Sequence, residues 1–112
     1  MLLSQGEKVH VMHHSYFEKA GGRTLVGTVD DCDSGVARIR GHIYAVDQTK
    51  GVPVRQKETV TRFISLVNGE HAVTPLPETV SLDNVVYAQD AKGLRITDGT
   101  EWTIHLSALT LH

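Results

Sequence analysis

The sequence is poor in cysteine and has no long apolar run. Its 112 residues include a single cysteine, Cys32, which cannot form a disulfide bond within the chain. No stretch approaches the roughly 18 consecutive apolar residues of a transmembrane helix, and the N-terminal MLLSQGEK lacks the basic start and apolar run of a secretory signal. These absences predict a protein of the reducing cytoplasm with no membrane partner.

The sequence also lacks the motifs of the common catalytic sites. It contains no serine-hydrolase elbow, phosphate-binding loop, Rossmann glycine fingerprint or paired Cys-x-x-Cys zinc motif. Cys32 has aspartates as close neighbours, and their negative charges disfavour a reactive thiolate. We therefore predict no catalytic residue and no cofactor, and an enzyme is less favoured than a binding protein.

The composition is that of an ordinary folded protein, with 40% hydrophobic and 21% charged residues. A chain of 112 residues has the usual size of one domain and can bury a core without disulfide or metal cross-links. We predict that residues 1–112 form a single domain.

Alternation of apolar and polar residues dominates the chain, whereas the 3.6-residue period of helices is almost absent, and this predicts strands. In the C-terminal segment LRITDGTEWTIHL, two alternating runs flank the turn-forming pair Asp98-Gly99. Upstream, VVYAQ joins this hairpin through DAKG, in which Gly93 can take the positive φ of a tight turn. Residues 85–106 are therefore predicted to form a three-stranded meander. The large apolar residues expected in the core are Tyr16, Phe17, Trp102, Ile104 and Leu106.

Three strands are predicted in the N-terminal half. GEKVHVM and TLVGTVD contain alternating apolar residues and are separated by the glycine-rich turn EKAGGR. GVARIRGHIYAVDQT is longer than an ordinary flat strand and has Gly41 near its middle, where a missing side chain permits a bend or a bulge. We expect one bent strand that turns a corner.

The central region is predicted to hold an exposed loop, a strand and a hairpin turn. KGVPVRQKE is polar and basic and is expected to be the loop, and TVTRFISLV is expected to be the strand after it. Asn68-Gly69 is the pair that type I′ turns prefer, because both central positions need a positive φ, so strands should flank it. Pro75 and Pro77 then end the pairing, and we expect a connection or a short helical turn there.

These segments amount to about seven or eight mostly antiparallel strands, which defines the all-β class. A small barrel or sandwich is the economical way to bury one face of each strand and to protect the edges. The succession of GEKVHV, GTV and a bent basic strand, within about the first 45 residues, resembles the start of SH3-like and Sm-like barrels. The general character expected is therefore that of a small SH3-like, Sm-like or OB-like barrel.

The segment HVMHHSYF concentrates histidines and raises the question of a metal site. In a helix, His10 and His14 would lie one turn apart and could share an ion. Val9 and Val11 favour a strand instead, in which His10 and His14 lie roughly 13 Å apart and His13 points to the opposite face. The main prediction is therefore that no metal binds.

A histidine-based protein that binds a divalent metal stays an alternative. It would need ligands from several strands, and His105 could supply one in addition to the main candidates. These candidates are His10, His13, His14 and His42.

The acidic segment DDCDSG also invites a metal interpretation. If Asp30 is aligned with the first position of a calcium-binding EF-hand loop, Gly35 falls correctly, but Cys32 replaces an oxygen ligand and Gly41 replaces the required glutamate. An acidic β-turn, in which Asp and Ser bond to the local backbone and Gly takes a positive φ, explains these residues better.

The middle of the chain is its basic part, because residues 36–66 carry six basic and two acidic groups. Cations interleaved with aromatic residues on a sheet resemble the surfaces with which oligonucleotide-binding barrels hold a single strand. The overall formal charge of −2 argues against nucleic acid as the main partner. The predicted binding surface consists of Arg38, Arg40, His42, Tyr44, Arg55, Lys57 and Arg62.

The preferred hypothesis is a small non-enzymatic binding or assembly module that contacts an unknown protein or another copy of itself. Residues 67–112 carry two basic and six acidic groups, so they could meet the basic segment across a symmetric homo-oligomer interface. The alternatives are a single-stranded nucleic-acid-binding barrel that uses residues 36–66 and the histidine-based metal protein.

Overall fold

Eight strands form two antiparallel sheets in the computed structural model, which describes residues 3–13, 22–47 and 49–106. Helical structure in these ranges is limited to 3-10 geometry, in the short helix Leu82–Asn84 and at Leu106. The all-β class is therefore confirmed. The strands are β1 (Lys8–His13), β2 (Arg23–Asp33), β3 (Val36–Asp47), β4 (Val52–Ser65), β5 (His71–Pro75), β6 (Val86–Asp90), β7 (Gly93–Thr97) and β8 (Thr103–His105).

The large sheet contains the first five strands in the order β4-β3-β2-β1-β5. Strands β1 to β4 follow one another as an antiparallel meander, and β5 then pairs with β1 on the far side. Strands β4 and β5 lie at opposite edges and do not pair with each other. The described strands therefore do not close into a barrel, which corrects one of the two architectures predicted from the sequence.

The tight turn between β2 and β3 consists of Ser34 and Gly35, which have φ angles of 53° and 79°. Two consecutive positive φ angles are the requirement of a type I′ hairpin. The carboxylate of Asp31 accepts a hydrogen bond from the backbone N–H of Cys32, at 2.9 Å. The acidic turn predicted here is confirmed, although Asp31 and Asp33 belong to the end of β2.

Gly27 and Gly41 face each other across the β2–β3 pair, where the two backbones approach closely. A Cβ on Gly41 would overlap the carbonyl oxygen of Val26, and a Cβ on Gly27 would overlap that of Arg40. The predicted bend at Gly41 is thus a close approach of two glycines. The irregular pairing with β4 lies further on, between His42 and Tyr44.

Strand β4 begins at Val52, so the prediction of a loop at KGVPVRQKE is wrong for most of that segment. Thr59 pairs with His42 and Arg55 pairs with Tyr44, which leaves residues 56–58 opposite Ile43 alone. This bulge exposes polar residues although they belong to a strand. The exposed residues of this bulge have the polar composition of a loop, which explains the error.

The prediction that strands flank Asn68-Gly69 is confirmed, but the prediction that they pair with each other as a hairpin is wrong. Gly69 has a positive φ of 75°, but Ser34 is the only non-glycine residue with a positive φ in the described ranges. Strand β4 pairs with β3, whereas β5 pairs with β1. Residues 66–70 therefore carry the chain from one edge of the large sheet to the other.

The small sheet is the meander β6-β7-β8 predicted for residues 85–106. Gly93 and Gly99 take positive φ angles of 112° and 84° at its two turns. The predicted connection after Pro75 is also confirmed, since pairing stops there and the 3-10 helix follows. Lys8 ties this connection to the large sheet by donating hydrogen bonds to the carbonyls of Glu78 and Val80.

Two separate apolar clusters lie on the two faces of the large sheet. The buried residues of the inner cluster all come from the large sheet, with Leu3 and Leu66 packed against them, so the sheet curls around this cluster. The inter-sheet cluster joins the other face of the large sheet to the small sheet. The buried residues of the inner cluster are Val9, Val11, Leu25, Val29, Ala37, Ile39, Ile64 and Val73. Those of the inter-sheet cluster are Met12, Val26, Tyr44, Leu76, Val80, Val85, Tyr87, Ile96 and Leu106.

The predicted core residues of the C-terminal region belong to the inter-sheet cluster. Leu106 is fully buried, and Trp102 and Ile104 are partly buried against the cluster. Tyr16 and Phe17 lie outside the described residues.

Candidate functional site

The cationic residues of β3 lie on one face of the large sheet. Arg38, Arg40 and His42 alternate along the strand, with Arg38 and Arg40 exposed and His42 half-buried. Tyr44 lies on the same face but is 2% exposed, and its hydroxyl donates a hydrogen bond to the carbonyl of Val85 at 3.0 Å. Tyr44 is therefore a core residue of the inter-sheet cluster, which corrects its prediction as part of a binding surface.

The remaining predicted cations do not converge with Arg38 and Arg40. Arg62 pairs with Ile39, so its side chain points to the opposite face of the sheet from Arg38. Lys57 is exposed within the bulge of β4. The predicted surface is therefore divided between two faces and an edge.

Carboxylates neutralise two of the cations on this side of the molecule. Arg40 lies 3.3 Å from Asp30, and the Arg55 guanidinium lies 3.4 Å from the carboxylate of Asp83 and also donates to its backbone carbonyl. Such ion pairs lower the positive potential that a phosphate backbone would meet. A surface with paired cations is therefore poorly suited to phosphate binding.

Three exposed apolar side chains lie near the β2–β3 turn, at the open end of the β3–β4 pair. Phe63 is 71% exposed, Val67 is 80% exposed and Val36 is 40% exposed. Phe63 and Val36 line one shallow cavity of about 140 Å³. Val67 lies over Gly35, which is the residue before Val36 in the chain. We call Val36, Phe63 and Val67 the end patch.

The outer edge of β4 adjoins the end patch. In the described part of the chain, β4 hydrogen-bonds to β3 and has no strand on its other side. Its residues 56–59 and 61–63 are exposed. The backbone donors and acceptors along such an edge are available to a further strand.

A cavity of about 550 Å³ opens on the face opposite to Arg38. Arg23, Arg55 and Lys57 contribute positive charge, and Glu58 contributes negative charge. The rest of its lining consists of the apolar Ile43, Ala45 and Val60 and the polar Gln56. The mixed charges define no single class of ligand.

A buried polar network connects the two sheets. His10 is fully buried, and its Nε2 lies 2.8 Å from the hydroxyl of Tyr87, which lies 2.6 Å from Oγ1 of Thr24. Burial lowers the pKa of His10 to about 4, because a charged imidazole would lose its hydration there. Its Nδ1 has no hydrogen-bond partner among the described residues. Burial therefore keeps His10 neutral, and the network fixes β6 against β1 and β2.

Sequence reasoning missed this network because Thr24 and Tyr87 are far apart in the chain. A signal was present in β1, where the run from Val9 to Met12 is apolar except for His10. All four residues are buried, as expected for a strand covered on both faces.

The structure does not bring the candidate metal ligands together. His10 lies in the inter-sheet core, whereas His13 lies on the opposite face with its ring 5.3 Å from that of His71. His14 lies outside the described residues. Within the described ranges, no three His, Cys, Asp or Glu side chains are placed to hold an ion.

The other two histidines lie on separate surfaces. His42 lies on the large sheet, 3.5 Å from Oγ1 of Thr59, and partial burial together with the charge of Arg55 lowers its pKa. His105 lies on the small sheet, with Nε2 3.1 Å from the carboxylate of Asp90. Neither of them shares a ligand set with His10.

Comparison with known proteins gives no relative. No protein-family model matches the chain, and no curated protein or solved structure matches it either. Within residues 3–13, 22–47 and 49–106, no helix has the length and apolar character needed to cross a membrane. The functional argument therefore rests on the chain's own geometry.

Proposed function

We propose that this chain is a non-enzymatic protein-binding or assembly module. The main support for this proposal is the exposure of Phe63, an aromatic residue on the free edge strand β4 that is 71% exposed. Aromatic residues are enriched at protein interfaces, where their burial contributes much of the binding energy. Val36 and Val67 extend the apolar contact that Phe63 offers.

The β4 edge adds a second type of contact. A strand from a partner can extend a sheet by hydrogen-bonding to its free edge, and nearby side chains then select the partner. The end patch lies at one end of this edge, so one partner can use both. We include in this proposal an SH3-like or Sm-like character for the curled large sheet, and a cytoplasmic location.

Site-specific photo-crosslinking tests the proposal. Thr61 is exposed on β4, two residues from Phe63, and can be replaced by p-benzoylphenylalanine in the full-length chain produced in its native cells. We expect a protein adduct at position 61. The matched control is the same replacement at Lys92, which is exposed in the β6–β7 turn. No adduct at position 61, or the same adducts at both positions, would contradict the proposed surface.

One observation favours single-stranded nucleic acid as the second candidate partner. Arg38 and Phe63 are direct cross-strand neighbours on the same face, which sets a cation beside an aromatic ring. Ion pairing of Arg40 and Arg55 weakens this candidate. Fluorescence anisotropy with a labelled single-stranded oligonucleotide is the test. Binding that weakens steeply with salt and is lost in Arg38→Ala would favour it, and no binding at low salt would eliminate it.

A further inference from the structure

The outer edge of β4 is complementary to itself. We propose that the partner of this edge is a second copy of the chain, whose β4 pairs with the first in antiparallel orientation about a two-fold axis at Val60. This inference rests on the proposed function, because it assigns the occupant of the same edge. It concerns the part of β4 from Glu58, at the end of the bulge, to Phe63.

Symmetry limits the registers that such a pair can adopt. A two-fold axis that extends a sheet edge to edge stands perpendicular to the sheet, so it keeps each side chain on the same face. Residues directly opposite each other must therefore be an even number of positions apart in the sequence. A register centred on Val60 satisfies this condition.

In this register every pair is compatible. Val60 lies opposite its own copy, and Thr59 lies opposite Thr61. Glu58 lies opposite Arg62, so symmetry creates this charge pair twice. Lys57 belongs to the bulge, so the regular ladder ends at this charge pair, and Phe63 lies at each end of the paired segment beside the bulge of the other copy.

Glu58 and Arg62 are available for this role. Both are exposed, and neither forms an ion pair within the described residues. The neighbouring even registers lose the complementarity, because Glu58 then lies opposite Val60 or Ile64 and leaves its charge without a partner. Charge therefore selects the register centred on Val60.

The rest of the large sheet offers no equal alternative. The β5 edge has only five residues and ends at Pro75, which has no backbone donor. The first part of β4 faces the small-sheet side, where Arg55 binds Asp83. Edge charges normally discourage pairing with a foreign strand, and here they are neutralised only by an identical copy in one register.

Analytical ultracentrifugation with a charge-swap series tests the inference. We expect the wild-type protein to dimerise reversibly. Glu58→Arg or Arg62→Glu alone replaces two attractive contacts by two repulsive ones and should weaken the dimer by about tenfold or more. The double variant Glu58→Arg/Arg62→Glu should return to within about twofold of the wild type. Lys92→Glu, a charge reversal in the β6–β7 turn, should have no effect.

Disulfide trapping tests the register. In a Cys32→Ser background, Val60→Cys should form a crosslinked dimer readily, because residues directly opposite each other have Cα atoms about 4.5–5.5 Å apart. Thr59→Cys should crosslink poorly, since its copy lies diagonally, about 7–8 Å away. Circular dichroism confirms that each variant is folded. Equal trapping at both positions would overturn the proposed register.

The outcomes separate this inference from the function on which it rests. A wild-type protein that stays monomeric up to about 1 mM, or a double variant that does not recover, would overturn the second-copy proposal. If position 61 still crosslinks to a different protein, the binding function stands and only its partner is wrong. If neither a dimer nor an adduct forms, both proposals fall.

Discussion

The two apolar clusters on either side of the large sheet differ in how they are held. The inner cluster is aliphatic, and its buried residues all come from the large sheet. The inter-sheet cluster contains two tyrosines whose rings are 5.1 Å apart, and it includes the network of His10, Thr24 and Tyr87. Aliphatic side chains can pack in several relative orientations, whereas a hydrogen bond requires a particular orientation of its donor and acceptor.

The comparison indicates that the two clusters stabilise different parts of the structure. Packing in the inner cluster maintains the curl of the large sheet. Directional bonds in the inter-sheet cluster fix the position of the small sheet, because Tyr87 and Val85 each bond to side chains of the large sheet. The inter-sheet cluster should therefore be more sensitive to pH and to the removal of single polar atoms.

The largest expected effect comes from truncating a fully buried isoleucine in each cluster. Ile39→Ala and Ile96→Ala should each lower the free energy of unfolding by about 2–5 kcal/mol in urea titrations. Hydrogen exchange should then distinguish them, because Ile96→Ala releases β6–β8 first and leaves β1–β4 protected. Val86→Ala, at an exposed position of β6, is the control and should change little. Equal loss of protection in both sheets would show that the clusters are one cooperative unit.

Acid should weaken the inter-sheet cluster. Because burial lowers the pKa of His10 from 6.5 to about 4, unfolding at acid pH takes up a proton. The contribution of His10 is fully present above pH 6.5 and is lost as the pH falls to about 4, at a cost of roughly 3 kcal/mol. Urea titrations between pH 7 and pH 4 measure this loss.

His10→Leu should remove most of this pH dependence, whereas His42→Gln, at a half-buried surface position, should retain it. Hydrogen bonds from Thr100 and Ser81 lower the pKa of Asp98, so its stabilising effect is lost only below its ordinary pKa of 3.8. The titration of Asp98 therefore does not overlap the loss of stability that His10 causes between pH 6.5 and pH 4. An unchanged dependence of stability on pH in His10→Leu would show that His10 is not the group responsible for the loss of stability in acid.

Removing one hydroxyl should distinguish the two tyrosines. Tyr87→Phe deprives both His10 and Thr24 of a buried partner and should cost about 1–3 kcal/mol. Tyr44→Phe removes one bond to the carbonyl of Val85 and should cost about 1 kcal/mol. Urea denaturation of both variants at pH 7 provides the measurement. A larger loss in Tyr44→Phe would reverse the importance given to the network.

The smallest effect on stability is expected outside both clusters. Phe63→Ser changes a side chain that is 71% exposed, so it should alter the free energy of unfolding by less than about 0.5 kcal/mol. The same change should weaken the proposed association, which sedimentation would detect. A strong loss of stability would mean that Phe63 is structural and would remove the main support for the end patch.

Local sequence patterns predicted most of the strands. Alternation identified β1 to β3 and the meander β6–β8, and the turn chemistry of Ser34-Gly35 and Gly93 agreed with it. The first half of β4 was missed because Pro53 is untypical of a strand and the exposed polar residues 56–58 of the bulge interrupt the alternation. Asn68-Gly69 shows that turn-favouring residues do not determine which strands pair.

The candidate site was predictable only where strand periodicity was sufficient. Alternation correctly placed Arg38, Arg40 and His42 on one face. The burial of Tyr44 depends on the docking of the small sheet, and the partners of His10 come from β2 and β6. These contacts join distant parts of the chain, and a single sequence gives no local signal for them.

The return of β5 to the first strand also has a consequence for the order of folding. Every other strand pair in the two sheets joins consecutive strands, but β1 must wait for residues 71–75 before its second side is paired. Closing so long a segment costs more chain entropy than forming a hairpin, and such contacts slow folding. During synthesis the β1–β4 meander is made first, so the β5 side of β1 stays open until residue 75 has left the ribosome.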